Sequence, residues 1–260
     1  WSPKGKATHC ITLIHGLGEH IGRYERFASF YNEKSAVVTA LDLRGHGKTS
    51  GLRGHVPSWD TFLEDISELK TRNSEKYPGI PQFIYGHSMG GMIALSFALK
   101  KNPNISGVIA SAPLITTNEP VSPLKLNLAK YMNAILPTLT MDNGLDRNAL
   151  SKDTQVIEKY NQDPLVHGKI SARLGWSLIE TGTYLLEQAT NFSLPLLVMI
   201  GSEEKIVSKA DAQDFTESTP RHEFKVWNGL FHELHNEPEW EDVLEYAENW
   251  MSKQMVQKSF

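Results

Sequence analysis

One cysteine, Cys10, stands among 260 residues, so neither an internal disulfide nor a multi-cysteine zinc site can form. A reducing compartment fits that absence, and a cytoplasmic location is expected. Long hydrophobic runs are missing too. No apolar stretch approaches the roughly 18 residues a membrane span needs, and the longest, Leu194 to Ile200, is interrupted by Pro195. There is no basic excess either: 26 Lys and Arg face 30 Asp and Glu, a net charge of −4 without any Lys/Arg-rich run, which argues against a nucleic-acid partner. Internal repeats and low-complexity segments are absent. What remains, 40% hydrophobic and 22% charged residues, is the make-up of an ordinary globular protein. At this length a single core buries roughly 75% of the unfolded surface, so one domain with an excursion is expected rather than two equals. The first residue is Trp1 rather than Met, and a preceding segment is expected.

Short apolar runs rich in β-branched residues read as strands at Cys10 to Ile14, Ala36 to Leu41, Gln82 to Tyr85, Gly107 to Ala110, Leu196 to Ile200 and Glu223 to Trp227. Because these runs are nearly continuous, they fit strands buried on both faces, as in a parallel sheet. Between them lie helical periodicities, at Tyr24, Phe27 and Tyr31, at Trp59, Phe62, Leu63, Ile66 and Leu69, and at Met92, Leu95 and Leu99. A last helix places Trp240, Val243, Leu244, Ala247, Trp250 and Met251 on one face. The alternation predicts an α/β fold. It stops between residues 113 and 193, where the pattern is mostly helical and punctuated by Pro120, Pro123, Pro137 and Pro164. That region is expected to be a helical cap inserted into a core made of residues 1–112 and 194–260.

The sharpest chemical signal is Gly86-His87-Ser88-Met89-Gly90, directly after one strand and directly before a helix. A G-x-S-x-G turn in that context is a nucleophile elbow, whose glycines let strand and helix crowd together while the serine is held exposed. A serine hydroxyl is a weak nucleophile, so a base and an orienting acid should follow, in the order serine, acid, histidine. His232, in the loop after the strand Glu223 to Trp227, fits the base better than His222, His235 or His167. The acid should follow the strand Leu196 to Ile200, where the loop reads Gly201-Ser202-Glu203-Glu204; Glu204 is the first choice and Glu203 the reserve. A tetrahedral intermediate needs backbone donors, expected at Met89 and at Leu17 in the loop His15-Gly16-Leu17-Gly18. Three other patterns fail on spacing. A phosphate loop at Gly45 to Thr49 would need glycine where Asp42 stands, Gly16, Gly18 and Gly22 miss dinucleotide spacing by one residue, and His232-Glu233-Leu234-His235 is one residue short of a zinc-protease helix. No cofactor and no metal are expected.

Taken in order, His15-Gly16-Leu17-Gly18-Glu19-His20 with Arg23-Tyr24, Asp42-Leu43-Arg44-Gly45-His46-Gly47, Gly86 to Gly91, Ser111-Ala112-Pro113, Tyr160 to Pro164 and His232 to Glu237 resemble the monoglyceride lipase and lysophospholipase branch of the α/β-hydrolases. The resemblance covers nearly the whole chain. It implies an α/β-hydrolase fold, a mostly parallel central sheet flanked by helices with an inserted helical cap, and hydrolysis of a monoacylglycerol-like ester by Ser88, His232 and an acid. It also implies that Arg23, His87 and Tyr160 line the polar end receiving glycerol while the cap's leucines hold the acyl chain. The chain departs from the family's pattern in carrying glutamate at 204, where aspartate is usual, and in lacking strands that usually precede the position of Trp1. The alternatives are a lysophospholipase, a carboxylesterase or an acyl thioesterase using the same triad, and a catalytically weak hydrolase-like binding protein. A dehalogenase or epoxide hydrolase would need aspartate where Ser88 stands. The substrate being a small lipid ester, the apolar stripe Leu124, Leu128, Met132 and Ile135 is expected to touch lipid surfaces, with peripheral association at membranes or lipid droplets.

Overall fold

A computed structural model describes residues 1–257; residues 258–260 of the expected core segment lie outside the described residues. Strand β1 (His9–Ile14), helix α1 (Glu25–Glu33), β2 (Ala36–Ala40), α2 (Trp59–Lys76), β3 (Gln82–His87), α3 (Met89–Lys101) and β4 (Gly107–Ser111) alternate along the chain. Then come α4 (Pro123–Ile135), β5 (Thr140–Asp142), α5 (Thr154–Gln162), β6 (Lys169–Ser171) and α6 (Ala172–Gln188). The alternation resumes with β7 (Leu196–Gly201), α7 (Lys209–Glu217), β8 (His222–Trp227) and α8 (Trp240–Gln257). All six expected strands form, each within two residues of its expected bounds.

Those six build one parallel sheet in the order β2-β1-β3-β4-β7-β8. The sequence explains why the middle strands are central: every residue of β1, β3, β4 and β7 is buried, as a strand covered by helices on both faces must be. Successive side chains go to opposite faces. Ile11, Leu13, Phe83, Tyr85, Ile109, Leu197 and Met199 pack with α1 and α8, whereas Ile84, Val108, Ala110, Leu196, Val198 and Ile200 pack with α2, α3 and α7. Register aligns the strand ends. Ile14 pairs with Gly86, His87 with Ser111, Ser111 with Met199, and Gly201 with Trp227, so the loops after β1, β3, β7 and β8 all leave from one edge. In open α/β sheets that carboxyl edge is where ligands bind.

The region between β4 and β7 is less purely helical than its sequence pattern implies. β5 and β6 pair antiparallel across residues far apart in the chain, which three-residue strands do not announce by periodicity. The second half of the region is built into the core, since Leu174, Leu185 and Ala189 belong to the same apolar cluster as α3. Helix α4 is different: none of its residues is buried. Leu124, Leu128 and Ile135 are 79%, 59% and 71% exposed, and Tyr131 joins them at 67%. Met132 does not share that face and is half-buried; positions 124, 128, 131 and 135 follow the helical repeat, and 132 falls about 100° round from 131.

Candidate active site

Ser88 sits between the end of β3 and the start of α3 with φ 54° and ψ −118°. A non-glycine residue in that region stores of order 1–3 kcal/mol and persists only where its surroundings over-determine it. Here they do. The Ser88 N–H donates to Ser111 O at 3.0 Å, and the Ser88 carbonyl accepts from Met92 N–H at 3.1 Å and Leu114 N–H at 3.0 Å. The flanking glycines are required by space rather than by their own dihedrals: a Cβ on Gly86 would lie 2.2 Å from Gly90 O, and one on Gly90 2.1 Å from Ile14 O.

His232 and Glu204 reach the same place from two other loops. Glu204 Oε2 lies 2.7 Å from His232 Nδ1, and its Oε1 accepts from the backbone N–H of Ile206 at 2.7 Å and of Val207 at 3.2 Å. A buried carboxylate is tolerable when both its oxygens are so engaged. Burial alone would raise Glu204, but His232 and these N–H groups hold it below the ordinary carboxylate value. Burial alone would lower His232, yet Glu204 first, then Glu233 and Glu19, keep it above the ordinary histidine value. Glu203 turns elsewhere, accepting from the hydroxyl of its neighbour Ser202, so the loop presents a single acid to the imidazole.

Ser88, His232, Leu17, His87 and Tyr160 all line one cavity of about 650 Å³, within the size range of small-molecule sites. Glu19, His87, His232 and Glu233 line it, as do Asn118, Asn143, Asp146 and Lys205, while Leu114, Leu145, Leu150, Ile170, Leu178 and Ile206 add apolar wall. Among the described residues no hydrogen bond joins Ser88 to His232; such bonds commonly close only around substrate. Neither the Leu17 nor the Met89 backbone N–H donates to a protein acceptor among the described residues. Met89 itself is fully buried beside Ser88.

Arg23 lies one layer back, outside the cavity lining. Its guanidinium donates to Glu19 Oε2 at 2.6 Å and to both oxygens of Glu233 at 2.7 and 2.6 Å, and Tyr160 covers it with 4.6 Å to the ring centroid. The acids Glu19 and Glu233 were not singled out from the sequence, although both lie in the blocks around the loop after β1 and around His232. Glu19 does more than neutralise Arg23: its Oε1 accepts from Gly16 N–H at 2.6 Å and from the Tyr24 hydroxyl at 2.8 Å, fixing the loop that carries Leu17. His235 stacks on Tyr24 with 4.6 Å between ring centroids. Burial lowers His87 far below the ordinary histidine value and His235 to about 4, so both stay neutral.

The wall opposite the sheet is latched to these loops. His167 N–H donates to Gly18 O at 2.8 Å, His20 Nε2 lies 2.8 Å from Asp163, and His55 Nδ1 lies 2.9 Å from the Ser171 hydroxyl. Gly18, at φ 79°, could not carry a side chain, because its Cβ would fall 2.4 Å from His167 O.

Comparison with known proteins shows the family. The family described as serine aminopeptidase, S33, matches residues 5–239. A monoacylglycerol lipase from Mycolicibacterium smegmatis is 33% identical over 96% of this chain and 90% of its own length. The chain belongs to the monoglyceride lipase family of the α/β-hydrolases. An uncharacterised abhydrolase domain-containing protein from Dictyostelium discoideum is 38% identical over 98% of the chain, which spans only 27% of that protein's length. The crystal structure of Paleococcus ferrophilus monoacylglycerol lipase superposes with a TM-score of 0.89 at 30% identity, covering 96% of each chain. As expected of a family member, the chain has a parallel central sheet flanked by helices, and a glutamate faces His232.

Proposed function

We propose that the protein is a serine hydrolase that cleaves monoacylglycerols to fatty acid and glycerol. The observation that carries the reading is the 2.7 Å pair of Glu204 and His232 facing the cavity into which the strained Ser88 elbow opens. His232 Nε2 removes the Ser88 hydroxyl proton as Oγ attacks the ester carbonyl, and Glu204 holds the imidazole by Nδ1 and stabilises the imidazolium. The Leu17 and Met89 N–H groups receive the oxyanion. His232 then protonates the departing glycerol, forming an acyl-enzyme that water hydrolyses by the same steps in reverse order.

The cavity's polar groups and its apolar wall suit the two ends of an amphipathic ester. Glycerol hydroxyls match neutral His87, the Tyr160 hydroxyl and the carboxylates Glu19 and Glu233, while the leucine-lined wall takes the acyl chain. Arg23 serves this end indirectly, by holding the two carboxylates in place. No helix among the described residues is long and apolar enough to cross a membrane. In this reading the substrate is taken from a lipid surface by peripheral contact. The exposed apolar face of α4 supplies that contact, at cytoplasmic membranes or lipid droplets.

Fatty-acid release from a long-chain monoacylglycerol, compared with lysophosphatidylcholine and a short-chain ester, tests the reading, with Ser88→Ala as control. Ser88-dependent release that favours monoacylglycerol is expected. Release from the other two esters alone would retain the triad and reject the glycerol assignment.

A further inference from the structure

The loop that carries His232 is tied to the inserted region, and a single side chain joins the two. Glu237 is 0% exposed. Its Oε1 accepts from Phe231 N–H at 2.9 Å and from Lys152 N–H at 3.3 Å. Phe231 directly precedes His232, and Lys152 stands just before α5, the helix that carries Tyr160. The neighbouring backbone repeats the junction, since Glu233 N–H donates to the carbonyl of Leu150, a cavity-wall residue, at 2.8 Å. At the surface the Lys152 ammonium lies 2.6 Å from Glu239.

A fully buried carboxylate is an expensive way to fill space. Burial pushes the Glu237 carboxyl above the ordinary carboxylate value, although the Phe231 and Lys152 N–H groups pull it back. An apolar residue of similar size would fill the volume without that penalty, but would leave the Phe231 and Lys152 N–H groups without this acceptor, one on each side of the junction. Reach is the geometric point. The Glu237 side chain is long enough for one oxygen to meet Phe231 and Lys152 at once.

We propose that Glu237 is a positioning residue for the hydrolysis: by accepting from Phe231 and Lys152 together, it sets the His232 loop against the cap side of the cavity, so that the histidine's position and the cavity wall are fixed as one unit. The proposal rests on the hydrolase reading above. A displacement of about 1 Å in a catalytic group is enough for losses near a hundredfold, so loosening this junction acts on the chemical step even though Glu237 touches no substrate.

The test compares Glu237→Ala and Glu237→Gln on monoacylglycerol and on a water-soluble short-chain ester, with hydrogen exchange followed in segments 149–162 and 228–236. Glutamine keeps an acceptor at the same reach and alanine removes it. Glu237→Ala should lower kcat at least about tenfold on both esters with KM changed less than about threefold, and should speed exchange in both segments together. Glu237→Gln should restore kcat to within about threefold of the parent. If Glu237→Ala does not fold, Glu237→Asp, one methylene too short to meet both N–H groups, takes its place with the same expectation. Exchange that rises in one segment alone, a loss carried by KM alone, or a glutamine variant as impaired as alanine each overturns the proposal. If the parent protein hydrolyses neither ester, the hydrolase reading fails, while the exchange experiment still decides whether Glu237 joins the two segments.

Discussion

Arg23 grips Glu233, the residue that follows His232, through two parallel hydrogen bonds of 2.7 and 2.6 Å, and with the same guanidinium it holds Glu19 on the loop after β1. One cation thus joins the histidine loop to the loop that carries Leu17. Removing a partner from a buried ion network leaves uncompensated charge, which costs about 3–5 kcal/mol. Arg23→Met should therefore lower the unfolding free energy by about that amount in urea denaturation. A change under about 1 kcal/mol would mean that the two carboxylates find other partners.

The carboxylates around His232 set the pH at which this proposed base becomes neutral. His232 lies above the ordinary histidine value because Glu204, Glu233 and Glu19 offset its burial, and only the neutral imidazole can take the Ser88 proton. Activity should rise with pH through an acid limb placed above the usual histidine range. In Glu204→Gln the strongest of these charges is gone, so the His232 pKa falls and the limb moves to lower pH while kcat drops. A profile of kcat/KM against pH for both proteins measures the displacement; movement toward higher pH would contradict the assignment.

Loss of each proposed triad member should differ in size. Ser88→Ala and His232→Ala are expected to reduce kcat by about 10⁶-fold, and Glu204→Ala by about 10⁴-fold. Glu204→Asp is the informative variant. The shorter side chain cannot hold His232 while also accepting from Ile206 and Val207, as Glu204 does, and a loss of about 10–100-fold is expected. Full activity in Glu204→Asp would show that the loop resets itself around either acid.

The role proposed for the outward face of α4 is at a lipid surface. Replacing Leu124, Leu128 and Ile135 by glutamate should weaken binding to phospholipid vesicles and slow hydrolysis of micellar monoacylglycerol, because apolar contact area is what holds such a helix at a lipid surface. Hydrolysis of a soluble short-chain ester should be unchanged, as none of these side chains lines the cavity. Unaltered vesicle sedimentation of the triple variant would dismiss the contact.

Much of this was readable from local pattern, because local pattern is set by local physics. The alternation of apolar runs with helical periodicities gives a parallel sheet flanked by helices. Gly86 and Gly90 mark the elbow since no larger residue fits beside Gly90 O and Ile14 O. The order of Ser88, an acid after β7 and a histidine after β8 follows from strand order. The sequence by itself therefore determined the architecture and named Ser88, His232 and a two-residue choice of acid. Tertiary structure decided what depends on atoms far apart in the chain. Glu204 rather than Glu203 meets the imidazole, because only one of two adjacent side chains can face inward from that loop. Arg23 stands behind the cavity because Glu19 and Glu233 converge on it. Glu237 joins Phe231 to Lys152 across 79 residues of sequence, counted from 231 − 152, and no periodicity records a contact of that kind, since it exists only once the chain has closed on itself.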